Sequence, residues 1–144
     1  MNHSGVTIEG ETLIEGVASA AALVLAEPVS FWGGVDSATG EIIDGHHPQA
    51  GKSVAGRVLV MPSGRGSSSS SSVLAEAIRS GGAPAAILLG QNDPILVLGA
   101  VVAQQLYGTR MPVVLLDAAA YDACRNATRI EVDAESERAT IRLS

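Results

Sequence analysis

Short apolar runs alternate with stretches of helical spacing through the second half of the chain. Residues 57–61 (Arg-Val-Leu-Val-Met) form an almost unbroken apolar run of strand length. From about Ser68 to Ser80 the apolar positions Val73, Leu74, Ala77 and Ile78 fall at helical spacing, and Gly81-Gly82 ends the helix as a C-cap. Residues 85–89 read as the next strand. Asp93-Pro94 then opens a second helix, with a carboxylate at the N-cap and proline at the first helical position; it runs to about Tyr107, where Gly108 stops it. Residues 113–116 form a third strand, and Asp117 caps a short helix through Arg125. Strand, helix, strand, helix, strand implies right-handed crossovers and a parallel sheet core covered by helices.

The two ends of the chain follow a different pattern. Residues 6–8 and 20–25 read as strands separated by Gly10 and Gly16, with Pro28 closing the second, so an opening β-meander is expected. Residues 129–132 and 138–143 alternate apolar and polar positions around a turn at 135–137, which predicts an exposed antiparallel hairpin. Between the first strands and the alternating region lies an irregular connection, residues 31–48, containing four glycines and one proline. Phe31, Trp32, Ile42 and Ile43 are costly to leave in water, which favours an ordered loop packed against something over a disordered one. The expected class is α/β, with extra β structure at both ends, in one domain over 1–144.

Composition narrows the function. The chain has 144 residues, 47% hydrophobic and 17% charged, enough for a buried core without disulfides or a structural metal. Aromatic residues make up only 3%, so the core must be Ala, Val, Ile and Leu, and platforms for stacking single-stranded bases are missing. Fifteen acidic against nine basic side chains give a net charge of -6, and Lys52 is the single lysine, so no basic stripe exists to neutralise nucleic-acid phosphates. The single cysteine, Cys124, rules out an intrachain disulfide, and a cytoplasmic location fits best. Residues 1–19 carry Glu9, Glu11 and Glu15 without a basic or apolar leader region, unlike a signal peptide. The longest apolar runs, 17–26 and 95–103, are too short to cross a bilayer, so no membrane span is expected.

The candidate chemistry lies where the 57–61 strand runs into the first helix, at Pro62-Ser63-Gly64-Arg65-Gly66-Ser67-Ser68. Ligands of open α/β sheets collect at such carboxyl ends of strands. Gly64 and Gly66 allow a concave turn whose N–H groups converge, and the helix dipole adds positive potential there. Arg65 adds a full charge and a planar fork suited to a carboxylate, so a small anionic molecule is the natural guest. Converging donors beside a guanidinium stabilise an alkoxide, which makes Ser67 a candidate base for removing a proton from carbon. The competing reading makes Ser67 a helix cap and the serines at 67–72 a flexible linker. A phosphate-binding P-loop is excluded, because the Gly-Lys-Ser/Thr ending is missing.

Other polar residues read as structural. Adjacent histidines on an extended chain point to opposite sides, so His46 and His47 with Asp44 make a poor metal site; loop structure or a partner contact fits better. Cys124 reads as a buried structural thiol, since one thiol cannot hold an iron–sulfur cluster. Asp93 is most simply a cap, and no metal site is expected in this chain.

Six ordered blocks carry a resemblance to a known family: Ser30-Phe31-Trp32-Gly33-Gly34-Val35-Asp36, Thr39-Gly40-Glu41-Ile42-Ile43-Asp44, His46-His47-Pro48, Pro62-Ser63-Gly64-Arg65-Gly66-Ser67, Ala83-Pro84-Ala85-Ala86, and the segment from Asp93 to Ala100. Together they resemble the small subunit, or swivel domain, of the aconitase X family over about residues 20–116. The resemblance implies a swivelling β/β/α domain with a mixed sheet, a parallel core and flanking helices. It further implies one subunit of a heterodimeric dehydratase (a hydro-lyase), active only with a large subunit that carries an iron–sulfur cluster and most of the substrate pocket. No cofactor is expected on this chain alone. In that family the serine after the Gly-Arg-Gly turn is taken as the proton acceptor, here Ser67, which makes Ser63, Gly64, Arg65, Gly66 and Ser68 substrate-binding residues. The uninterrupted serine run departs from the family pattern and leaves Ser69 to Ser72 without assigned roles.

Two substrates are implied by the family, both small hydroxy acids. The first is cis-3-hydroxy-L-proline, dehydrated to 1-pyrroline-2-carboxylate. The second is 5-phosphomevalonate, which would favour a further cation near the turn, whereas Lys52 and Arg57 lie upstream of it. The hydroxyproline reading is preferred. Two readings from other classes stand beside it: a non-catalytic swivel domain that binds a partner through Phe31 and Trp32, and a phosphohistidine carrier using His46 or His47.

Overall fold

A computed structural model describes residues 5–64 and 69–144. Seven strands and three helices follow in the order β1 (Val6–Ile14), β2 (Gly16–Val24), β3 (Val58–Met61), α1 (Ser70–Ser80), β4 (Ala86–Leu89), α2 (Pro94–Tyr107), β5 (Val113–Leu115), α3 (Ala118–Ala123), β6 (Arg129–Ala134) and β7 (Arg138–Leu143). The strands close into a barrel in the order β1-β5-β4-β3-β2-β6-β7. Strands β2, β3, β4 and β5 run parallel to one another, whereas β1 and the β6–β7 hairpin complete the circle antiparallel. The expected parallel core is therefore present as one arc of a closed mixed barrel, not as an open sheet. Among the described residues no helix is long and apolar enough to cross a membrane.

The parallel arc explains the apolar runs. In β3, Val58 and Val60 point into the barrel with Leu88, Val114, Ile130 and Ile141, while Leu59 and Met61 point outward into a second core. That outer core contains Leu74 and Ile78 of α1 and Leu96, Ala100 and Ala103 of α2. Both faces are covered, so every residue of β3 and β4 is buried and alternation is lost. The interior of a seven-stranded barrel is narrow; its buried side chains are aliphatic, alanine and Cys124, with the partly buried Tyr121 packed against them.

Local signals set the helices. Asp93 caps α2, its Oδ1 accepting from the N–H groups of Ile95 (3.1 Å) and Leu96 (3.3 Å), with proline in the first turn. Asp117 caps α3 by accepting from Ala120 N–H at 2.8 Å. Gly81 and Gly108 terminate α1 and α2 in the left-handed region, at φ 90° and 71°. Helix α1 starts at Ser70, two residues after its expected start, and α3 ends at Ala123, short of Arg125.

Three expectations change at the ends of the chain. Gly10 does not separate strands: β1 continues through it, and a Cβ there would lie 2.5 Å from Val114 Cγ1 and 2.8 Å from Leu116 Cδ2, so glycine fits where β1 meets these side chains. β1 and β2 do not form a meander, because β1 pairs with β5 and β7 while β2 pairs with β3 and β6. The terminal hairpin is wedged between them and is not an exposed appendage: its Ile130, Val132, Ile141 and Leu143 are buried. Closure satisfies strand edges that an open sheet would leave unpaired.

The 25–57 connection is ordered, and it buries Phe31, Val35, Ile42 and Val54 in the outer core. Trp32 and Ile43 remain 57% and 52% exposed, so half of the expected apolar anchors pack and half face outward. Helices α1 and α2 meet closely at Gly99, where a Cβ would lie 2.7 Å from the Ser71 carbonyl oxygen and 3.2 Å from Leu74 Cβ. Alanine at a helix interior normally gains about 1 kcal/mol over glycine, but forcing a methyl against backbone costs about 1–3 kcal/mol. Gly99→Ala is therefore expected to destabilise the fold, by about 1 kcal/mol net. Urea unfolding checks this, the midpoint falling with an unchanged slope.

Candidate functional site

The glycine turn leaves the carboxyl end of β3, at the edge of the parallel arc where α1 and α2 begin. Its first two residues, Ser63 and Gly64, are partly buried. Arg65, Gly66, Ser67 and Ser68 lie outside the described residues, so the expected base and the expected guanidinium are located only through their neighbours in the chain. The strand ends on either side are tied to β3: Leu25 N–H donates to the Val60 carbonyl (2.8 Å) and Gly90 N–H to the Met61 carbonyl (3.2 Å). Gly90 permits a close approach here, since a Cβ would lie 3.2 Å from both the Pro62 carbonyl oxygen and the Tyr121 ring. Burial pushes the Tyr121 phenol up from its ordinary range, with Cys124 adding and Arg125 opposing.

Gly64 meets Asp93. A Cβ at Gly64 would fall on the Oδ2 of that carboxylate, whose Oδ1 is engaged in capping α2. Asp93 was expected only as a cap, and its contact with the turn joins residues nearly thirty positions apart, beyond any local spacing rule. A second link was also invisible to spacing: Ser30 Oγ lies 3.2 Å from Ser70 Oγ in the first turn of α1. Ser30 also donates to the Trp32 carbonyl (2.9 Å) and accepts from Trp32 N–H (3.1 Å), which brings the exposed Trp32 to the rim beside α1. Ser70 and Ser72 are helical, so the serine run is not wholly a linker.

A cleft of about 480 Å³ opens beyond β4 and β5, lined by Gly90, Gln91, Asn92, Asp117 and Arg138 among others. Gln91 and Asn92 precede Asp93, and they bring neutral amide groups to the same edge of the barrel as Ser63. A larger concavity of about 630 Å³ lies on the outer wall of β2, β6 and β7 around Val17, Ser19 and Arg142, beside the first half of β2. It opens away from the end of β2 that adjoins the turn. Lys52 and Arg57 line a separate concavity ahead of β3. The four residues of β3, roughly 13 Å at about 3.3 Å per residue, lie between Arg57 and the turn.

The remaining candidates are structural. His47 is buried; Gln49 N–H donates to its Nδ1 (3.0 Å), which leaves Nε2 to donate to the Glu27 carbonyl (3.0 Å). The Gln49 side chain bridges the end of β2, donating to Val24 O and accepting from Ala26 N–H. With both ring nitrogens engaged, His47 does not suit a phosphoryl carrier; His46 is exposed. Among the described residues no group of three His, Cys, Asp or Glu side chains is placed to hold a metal ion. The donor set does not fit an iron–sulfur cluster either. Cys124 is fully buried, and its Sγ donates weakly to the Ala120 carbonyl at 3.5 Å.

The strands and helices define a mixed-barrel α/β domain in which the parallel strands give way to helices at this edge. Residues 7–142 match the aconitase X swivel domain family. The chain is 48% identical over 116 residues to a cis-3-hydroxy-L-proline dehydratase of Pseudomonas aeruginosa, covering 81% of this chain and 20% of that protein. It is 33% identical over 129 residues to the phosphomevalonate dehydratase small subunit of Methanosarcina acetivorans, covering 89% and 85% respectively. The crystal structure of Thermococcus kodakaraensis aconitase X (holo-form) superposes with a TM-score of 0.78 at 31% identity, over 95% of this chain and 98% of that one. The chain spans about a fifth of the length of the two hydroxyproline dehydratases it matches. It belongs to the aconitase X swivel domain family.

Burial raises the Cys124 thiol from 9.0 to about 11. Two units mean about a hundredfold less thiolate than an ordinary cysteine near neutral pH. Iodoacetamide at pH 8 is expected to leave the native protein unmodified and to label it stoichiometrically in urea, as mass spectrometry would read. The unfolded thiol ionises first, so the folded state loses stability as pH rises from about 9 towards 11.

Proposed function

We propose that this chain is the swivel component of an aconitase X-type dehydratase that removes water from cis-3-hydroxy-L-proline, with Ser67 as the proton acceptor. A large subunit completes the site and carries the iron–sulfur cluster that the donor set of this chain does not fit. One observation supports the reading above others: the Ser63-Gly64 turn lies at the carboxyl end of β3, between the ends of β2 and β4, in a chain whose residues 7–142 match the family. The relatives named for dehydration support the reaction class.

The chemistry assigned to this chain is small and definite. The Ser67 oxygen, as alkoxide, takes the proton from the carbon bearing the carboxylate. The carbon–oxygen bond at the neighbouring carbon then breaks, hydroxide leaves, and the double bond forms between the two; the resulting enamine tautomerises, its N–H proton passing to that neighbouring carbon, to give 1-pyrroline-2-carboxylate. Arg65 holds the substrate carboxylate, while the N–H groups of the turn and the start of α1 favour the anionic form of the base. Ser63, Gly64, Gly66 and Ser68 shape the rest of this wall.

The 44% identity over 102 residues to the phosphomevalonate dehydratase small subunit of Methanopyrus kandleri favours a second reading, with that phosphorylated substrate. A phosphate group calls for additional cations. Lys52 and Arg57 sit ahead of β3, beyond reach of the turn that follows it. The hydroxyproline reading is therefore preferred.

Co-production with the large subunit allows a direct test. The pair is expected to dehydrate cis-3-hydroxy-L-proline, and Ser67→Ala is expected to lower kcat by a factor on the order of 10²–10⁴ with the complex intact on gel filtration. Turnover of phosphomevalonate alone would replace the substrate. Activity of Ser67→Ala within a few fold of wild type would reduce the domain to a non-catalytic partner of the large subunit.

A further inference from the structure

We infer that Asp93 is a positioning residue for the catalytic turn, one carboxylate oxygen holding the start of α2 and the other bearing on Gly64. The inference rests on the proposal that this turn carries the base. A helix cap needs one acceptor oxygen, and Oδ1 supplies it to Ile95 and Leu96. Oδ2 faces the place where a Gly64 side chain would be. The backbone of Gly64 is not in the left-handed region, so conformational freedom does not explain glycine at this position. Close approach of the carboxylate does.

The far side of the same segment is also referred to α2. Gly99, in the second turn of α2, presses its backbone against the Ser71 carbonyl, within 2.7 Å of where a Cβ would be. Gly64 and Ser71, the described residues on either side of Arg65 and Ser67 in the chain, therefore both bear on α2 or its cap. Asp93 sets the first contact and the α1–α2 packing sets the second. Because a shift of about 1 Å in a reacting group can cost on the order of a hundredfold in rate, loss of the first contact should appear in turnover before it appears in stability.

Serine is as good an N-cap as aspartate but has no second oxygen to set against Gly64. Asp93→Ser is therefore expected to keep the urea midpoint of the chain near wild type while shifting the amide resonances of Ser63 and Gly64 in a ¹⁵N correlation spectrum. In the complex with the large subunit, kcat should fall by about thirtyfold or more with KM changed by less than about threefold. Gly64→Ala should be severe in the wild-type background and much milder on top of Asp93→Ser, since the clash it creates has been removed. Unmoved Gly64 resonances, or an unchanged kcat in a complex that Ser67→Ala inactivates, would make Asp93 a helix cap and nothing more. Shifted resonances together with a fully active Ser67→Ala would remove the base assigned to Ser67 and overturn the positioning role with it, leaving only a structural Asp93–Gly64 contact.

Discussion

Burial of the parallel strands on both faces is the constraint from which the rest of the molecule follows. Val58 and Val60 fill the barrel while Leu59 and Met61 of the same strand fill the layer under α1 and α2. A strand with two apolar faces cannot lie at a surface; here the closed sheet covers one side and helices the other. The helices are then held against the outer face, and their N-termini come to the carboxyl edge of the strands. The glycine turn is at that edge because β3 must hand the chain to α1 there. Site and core are consequences of the same burial.

What was legible in the sequence was local. Asp93-Pro94, Gly108, Gly81 and Asp117 announced helix ends through groups that act within four residues, and each performs the expected role. The apolar runs of β3, β4 and β5 were equally readable, because complete burial leaves an unbroken signature. Closure was not readable. Whether β1 pairs with β2 or with β7 depends on contacts between residues more than a hundred positions apart, and Gly10 reads as a breaker until the crowding of Val114 around it is known. The hairpin was found, but its burial was missed, since alternation is the same for a strand facing solvent and for one facing solvent on one side of a barrel.

The site divides along the same line. A glycine turn ahead of a helix is a local pattern, and its position at the end of β3 follows from pattern alone. The Asp93 carboxylate against Gly64 and the Ser30–Ser70 hydroxyl pair are long-range contacts with no signature at any single spacing. Trp32 shows the same limit from the other direction. Its size predicted burial, yet the neighbouring Phe31 takes the interior place and Trp32 is left on the rim of the site.

A rigid barrel suits the proposed role of presenting one group to a substrate bound largely by a partner. The base must be held accurately although its own segment is short and glycine-rich, and a glycine-rich segment cannot hold itself. The inferred anchoring of Gly64 and Ser71 to α2, which packs on the barrel through Leu96, Ala100 and Ala103, would refer that segment to the core. The same reasoning accounts for the charge pattern. The cations Lys52 and Arg57 lie at the other end of β3 and the Asp93 carboxylate bears on Gly64, an arrangement that suits the single carboxylate of the proposed substrate better than an added phosphate. Under the proposed function, departure of the hydroxyl is assigned to the large subunit, because the described residues place no group of three metal-ligating side chains together.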